Sequence, residues 1–216
     1  MWTRDTKGVY YLAKVIGPYE YRDEKENRAA DICNLRKMHL KRIDEPSRVP
    51  GKVVSAMRAR RTIQRIKGDA VHTYSQYLFA KLTGDGDLPD LTGQDVFDYL
   101  SDQDCEDVVF VMLQRSGWVV YPAARKADTM SYEYVLRKVE DGRSAVAQVR
   151  TGNSPIDLDA LPEHLLAFVF QSKGLYTGAR CDRVKRLDRG MLLDFMRDNR
   201  QLLPGTVQDW MHLVGI

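Results

Sequence analysis

Two short apolar segments flanking a charged turn constrain this chain more than any other feature. Tyr132-Glu133-Tyr134-Val135-Leu136 is followed, after the turn, by Ala145-Val146-Ala147-Gln148-Val149-Arg150-Thr151-Gly152. The pattern predicts a β-hairpin with an acid on one strand and a Gln-x-basic pair on the next. Alternation places Gln148 and Arg150 on one face of the second strand, while Val146, Ala147 and Val149 are apolar enough for a packed sheet. With the turn centred on Asp141-Gly142, Glu133 is expected roughly opposite Arg150. An acid, an amide oxygen and a cation then converge at one end of the hairpin. That set offers oxygen ligands for Mg²⁺ and a cation beside a scissile phosphate, as a metal-dependent phosphodiesterase requires.

The rest of the chain bounds this reading. Its 216 residues are 44% hydrophobic, enough to bury a core in one large domain or two small ones, and the change of pattern along the chain favours two. The 33 basic residues are nearly matched by 30 acidic ones, so a nucleic-acid partner must be sought in clusters rather than in net charge. The densest cluster contains Arg58, Arg60, Arg61, Arg65 and Lys67, and a second contains Arg180, Arg183, Lys185, Arg186 and Arg189. Either suits a phosphate backbone or a solvated face. Cys33, Cys105 and Cys181 are isolated and without metal-ligand spacing, as expected of reduced thiols in the cytosol. The N-terminus is charged early, and no stretch approaches the roughly 18 uninterrupted apolar residues of a membrane span. A cytoplasmic protein with neither signal peptide nor membrane partner is expected.

Residues 1–66 read as β. Strands are expected over Gly8–Ile16, interrupted by Gly17-Pro18, then at Tyr19–Arg22, Asp31–Met38 and His39–Ile43, with a loop over Asp23–Ala30 and a turn at Val49-Pro50-Gly51. So many short strands predict a small, strongly bent barrel. Trp2, Tyr10, Tyr11, Tyr19 and Tyr21 suit either its core and edges or a surface that grips bases. Residues 67–92 predict a helix over Ala70–Leu82 and an acidic linker, whose Asp85, Asp87 and Asp90 lack the bidentate Glu of a calcium loop. Residues 93–216 begin with a helix capped by Ser101 and Asp104 and ending at Ser116-Gly117. A strand over Trp118–Pro122, the hairpin, a short helical segment, a strand over Leu166–Gln171, and helices over Arg189–Leu202 and Thr206–Val214 follow. The order is α/β (α+β), with a mixed sheet flanked by helices. His39, His72, His164 and His212 are scattered, and no phosphate loop or Gly-x-Ser-x-Gly is present, so zinc catalysis, nucleotide hydrolysis and elbow-type hydrolysis have no support.

Over roughly residues 95 to 175 the order of elements resembles the restriction-endonuclease-like, or PD-(D/E)xK, nuclease superfamily, and within it the Mrr-like branch where Gln replaces the second acid. The likeness is carried by Glu106 in Cys105-Glu106-Asp107-Val108-Val109, by Gly117-Trp118-Val119-Val120, by an acid before or on the next strand, and by Ala147-Gln148-Val149-Arg150-Thr151-Gly152. It implies that Glu106 orients water or completes a metal's outer shell, that Asp128 or Glu133 binds Mg²⁺ or Mn²⁺, and that Gln148 adds a neutral carbonyl ligand. Glu133 has the better cross-strand register. The family motif ends in Lys where this chain has Arg150, which can clamp phosphate but cannot act as a base. The N-terminal pattern of Trp2, Tyr10-Tyr11-Leu12, Gly17-Pro18-Tyr19-Glu20-Tyr21 and Val49-Pro50-Gly51-Lys52-Val53-Val54 loosely resembles SH3-like or PUA/EVE-like reader modules attached to bacterial restriction and defence nucleases.

Three readings follow. The first is a metal-dependent DNA endonuclease of a bacterial or phage defence system, as a homodimer or with a partner subunit. The second is a DNA-binding or adaptor protein that has lost turnover through Arg150. In the third, a protein-interaction subunit, Glu133 and Arg150 are a structural cross-strand pair, and Glu106 merely complements its helix dipole.

Overall fold

The computed structural model describes residues 1–58, 63–122, 132–179 and 181–216, and the chain divides into two units, Met1–Leu91 and Thr92–Ile216. In the first unit, β1 (Trp2–Arg4), β2 (Tyr10–Tyr21) and β3 (Asn34–Ile43) form an antiparallel sheet in that order. The β2–β3 connection carries the short helix α1 (Lys25–Ala29) where a loop was expected. Gly17-Pro18 does not end the strand. Pairing runs to Val15↔Met38 and resumes at Tyr19↔Arg36, so Ile16, Gly17 and Pro18 oppose Lys37 alone. Pro18 has no N–H for the ladder, and a Cβ on Gly17 would lie 2.8 Å from Lys37 Cβ. The pair is therefore a bulge inside one long strand. Among the described residues the three strands do not close into a barrel.

The expectation of β structure to residue 66 fails at α2 (Gly51–Arg58). The N–H groups of Val53 and Val54 donate to the Pro50 carbonyl at 2.8 and 3.1 Å, and Val53 is fully buried. Burial here overrides the β preference of the Val-Val pair. The next helix, α3 (Asp69–Thr83), buries Val71, Tyr74 and Leu78, positions spaced to share one stripe. The Trp2 indole donates to Ser75 Oγ at 2.9 Å, and the Tyr74 hydroxyl to the Arg48 carbonyl at 2.8 Å. Trp2 and Tyr10 are thus core residues, whereas Tyr19 and Tyr21 are exposed.

In the second unit a 3₁₀ turn over Val96–Asp98 precedes α4 (Asp102–Arg115). The first turn of α4 is closed by a reciprocal cap in which Asp104 N–H donates to Ser101 Oγ and Ser101 N–H to Asp104 Oδ2. There follow β4 (Trp118–Pro122), β5 (Tyr134–Lys138), β6 (Ser144–Arg150), β7 (Ile156–Asp157), β8 (Leu166–Gln171), β9 (Tyr176–Thr177), β10 (Val184–Arg186), α5 (Arg189–Asp198) and α6 (Gly205–Val214). The helix expected over Arg189–Leu202 ends at Asp198 and continues as a 3₁₀ turn over Arg200–Leu202. Five strands form a mixed sheet in the order β10-β8-β6-β5-β4, antiparallel from β4 to β6 and parallel from β6 to β10. The β6–β8 connection contains β7 and turns where a short helix was expected, and β7 pairs with β9 in a separate parallel ladder.

β6 is the central strand and is buried on both faces, so its sequence is mostly apolar, interrupted inside by Gln148 alone. Val146 packs into a cluster with Ile156, Leu158, Leu161, Ala167, Val169 and Val184. Ala145, Ala147 and Val149 occupy the opposite face, the one on which Tyr134, paired with Ala147, meets Phe110 of α4 with ring centroids 3.6 Å apart.

Candidate active site

Gln148 and Arg150 close the Val146 face of β6, where the apolar cluster ends. The β5–β6 register pairs Tyr134 with Ala147 and Arg137 with Ser144. Extended by one residue, it sets Glu133 beside Gln148 rather than opposite Arg150. The turn is centred one residue earlier than expected. Its four residues, Val139–Gly142, are closed by Lys138 N–H on the Arg143 carbonyl at 2.8 Å and by Gly142 N–H on the Lys138 carbonyl at 3.0 Å. Gly142 takes φ +70°, a left-handed position at the end of the loop that glycine supplies without strain.

Arg150 still reaches Glu133 diagonally across the strands, with Nη1 3.2 Å from Oε1. The other carboxylate oxygen accepts the Val149 N–H at 3.1 Å, and the Glu133 N–H donates to the Ala147 carbonyl at 3.1 Å. Because β5 pairing stops at Tyr134, the Glu133 side chain takes the place of a missing backbone acceptor. Its side chain is 19% exposed against 47% for Arg150. Burial pushes the Glu133 carboxyl above its ordinary range; Arg150 and the Val149 N–H pull it back, and the negative charge of Glu106 pushes it further up.

Gln148 is 7% exposed. Its Oε1 is buried and accepts no hydrogen bond among the described residues. An acceptor in that condition costs about 1–3 kcal/mol, and a cation or a donor on a ligand would remove the cost. An amide oxygen and a carboxylate adjacent across two strands fit Mg²⁺ or Mn²⁺, since Mg²⁺ takes one or two carboxylates and completes its shell with water and substrate phosphate. Asp128 lies outside the described residues. Among the described residues no group of three or more His, Cys, Asp or Glu side chains is placed to hold a metal, so a metal bound here would have to draw on Glu133, Gln148 and oxygen atoms of substrate and solvent.

Glu106 projects from α4 and accepts a hydrogen bond from the Tyr134 hydroxyl at 3.0 Å. It belongs to the α4 side, while Gln148 and Arg150 lie on the other face of β6, where Glu133 pairs with Arg150. Tyr134 escaped the sequence reading, although the alternation of Tyr132-Glu133-Tyr134 turns its ring to the face opposite Glu133.

The basic clusters divide by role. Arg60, Arg61 and Arg180 lie outside the described residues. Arg58 ends α2, and Arg65 and Lys67 are exposed in the irregular segment over residues 63–68. In the second cluster, Arg189 pairs with Asp95, donates to the Ser172 carbonyl and sits 4.7 Å from the Phe97 ring centroid. Arg186 lies 4.5 Å from the Tyr176 ring centroid, and Arg183 donates to the Glu163 carbonyl. These three side chains tie the second unit together. No described helix is long and apolar enough to cross a membrane. No family model matches the chain, and no curated protein or solved structure matches it.

Proposed function

We propose that the chain is a metal-dependent DNA endonuclease whose site is the Glu133–Gln148–Arg150 end of β6. The observation that carries this reading is the buried Gln148 Oε1 with no donor, set beside a carboxylate and a half-exposed guanidinium. A sheet position that serves packing alone favours an apolar side chain.

Glu133 and Gln148 would hold Mg²⁺ or Mn²⁺, which when bound polarises a phosphoryl oxygen and activates water. Arg150 contributes a permanent positive charge and two parallel N–H groups for a phosphate, and it accepts no proton. Tyr134 fixes Glu106 as a second negative charge near Glu133. A defence setting follows from the resemblance alone.

The Glu133–Arg150 ion pair also favours a second reading, a DNA-binding adaptor in which the guanidinium occupies the carboxylate that a metal would need. Cleavage of plasmid, linear duplex and single-stranded DNA with Mg²⁺, Mn²⁺ or EDTA separates the two, using the parental chain, Gln148→Ala and Arg150→Lys. The nuclease reading expects metal-dependent cutting by the parent and none by Gln148→Ala at an unchanged melting temperature. Cutting by Arg150→Lys alone supports the adaptor, and equal cutting by Gln148→Ala places the site elsewhere.

A further inference from the structure

We infer that the outer part of the β2–β3 ribbon is a surface for single-stranded nucleic acid, with Tyr19 and Tyr21 as base-stacking platforms and Arg36 as the phosphate contact. The register assigns the faces. Val15 pairs with Met38, Ala13 with Leu40, Tyr19 with Arg36 and Tyr21 with Asn34. The three bulge residues opposing one preserve the alternation, so Val15, Tyr19, Tyr21, Arg36, Met38 and Leu40 share one face. That face is open: Tyr21 is 63% exposed, Tyr19 54%, Leu40 48%, Val15 41% and Met38 40%. The opposite face holds Tyr10 and Leu12 in the core, and His39 there meets Phe79 of α3 edge-on at 5.4 Å.

Charge selects the occupant. The paired stretches Lys14–Tyr21 and Asn34–Arg42 carry Lys14, Arg36, Lys37, Lys41 and Arg42 against Glu20 alone. Glu20 is engaged by Arg22 at 2.6 Å, and Arg42 by Asp44 at 3.0 Å. Among the described residues Arg36, on the open face, forms no ion pair, and Lys37 and Lys41 on the other face form none either, while Lys14 lines a cleft with Asp85 and Asp87. A second copy of so cationic a ribbon would be repelled, whereas a polyanion is attracted. Two tyrosines at alternate positions of one strand lie about 7 Å apart, a spacing that lets successive unstacked bases rest on them while an arginine beside Tyr19 meets the backbone. Stacking of this kind needs bases free of a duplex. The surface belongs to Met1–Leu91 and works without metal, so it stands apart from the cleavage reading.

The test is binding of the full chain to labelled oligo-dT and to a duplex of equal length, in EDTA, across a salt series. Tyr19→Ala with Tyr21→Ala is expected to weaken oligo-dT binding about tenfold or more, while Tyr19→Phe with Tyr21→Phe stays near the parent. Arg36→Gln is expected to lower the slope of log affinity against log salt by about 1. Unchanged affinity in the alanine pair overturns the proposal, as does tighter binding of the duplex. A parental dimer in sedimentation that the alanine pair abolishes, with no competition by oligo-dT, assigns the face to a second copy instead. Because EDTA excludes metal-dependent cutting, a failed ribbon and a failed nuclease site give different results.

Discussion

Two glutamines on neighbouring strands are both buried, and they live in opposite states. Gln171 on β8 is 2% exposed, and every polar atom of its side chain is engaged. Its Nε2 donates to the Gly152 and Ser154 carbonyls at 2.9 and 3.1 Å, and its Oε1 accepts from the Lys173 and Leu175 N–H groups at 2.6 and 3.0 Å. Gln148 on β6 is scarcely more exposed, yet its Oε1 has no donor among the described residues. The first glutamine ties the turns after two strands to each other. The second holds an acceptor ready at a local cost in stability. Polar burial by itself therefore does not mark a site; the proposed site rests on the unused acceptor of Gln148.

Substitutions should separate the pair. The largest effect is expected for Gln171→Ala, which leaves two N–H donors and two carbonyls without partners. We predict a loss of about 2–4 kcal/mol, seen as a melting-temperature drop on the order of 5–15 °C. A drop no larger than that of an exposed control such as Gln103→Ala would erase the contrast.

Glu133→Gln comes next and acts through pH. The folded carboxyl lies above the ordinary value of 4.5, so folding favours its protonated form. That contribution is complete below about 4.5 and is lost as pH rises through the folded value. In EDTA the variant, lacking the titration, should gain on the parent as pH increases through this window. Parallel stability profiles would show that Glu133 is not desolvated.

Gln148→Leu should have the smallest effect on stability near pH 7. Replacing an unpartnered acceptor by an apolar group of similar size leaves stability unchanged or raises it by about 1 kcal/mol, whereas the proposed cleavage should be lost. Chemical denaturation would reveal a loss as large as that of Gln171→Ala, which would mean that Gln148 is a structural residue after all.

A prediction away from both glutamines checks the core of the same unit. Tyr99 is fully buried and stacked on Trp210 with centroids 5.1 Å apart. Burial, with Asp98 and Asp95 beside it, pushes its hydroxyl up to about 12. Stability held by the neutral phenol is complete below 10 and is lost as pH rises through about 12. Tyr99→Phe should flatten alkaline unfolding over that window, a difference read directly in a pH titration of near-ultraviolet absorbance and circular dichroism.

Much of the second unit was legible because its signals are local. Ser101 and Asp104 announce the start of α4, and the apolar segments around Tyr134–Leu136 and from Ala145 mark β5 and β6. The turn centre was misplaced by one position, and the partner of Glu133 therefore by two, because Asp141-Gly142 suggests a two-residue turn, whereas Gly142 supplies the left-handed end of a four-residue loop. The faces of Gln148 and Arg150 survived that error, since both lie on one strand two residues apart. The first unit misled for non-local reasons. Val53-Val54 prefers strand until burial decides for helix, and Gly17-Pro18 has the composition of a break but the geometry of a bulge packed on Lys37. The state of Gln148 Oε1 was out of reach, because whether an amide is satisfied depends on which backbone groups a fold brings to it.

The most direct test of the central claim is Mn²⁺ titration of the parental chain and of Gln148→Leu, followed by calorimetry and by melting temperature without nucleic acid. The account predicts that Mn²⁺ binds and stabilises the parent, that Mg²⁺ competes, and that Gln148→Leu loses both responses while remaining folded. Equal Mn²⁺ binding by the two proteins, or none by the parent, would contradict the assignment of Gln148 Oε1 as a metal ligand.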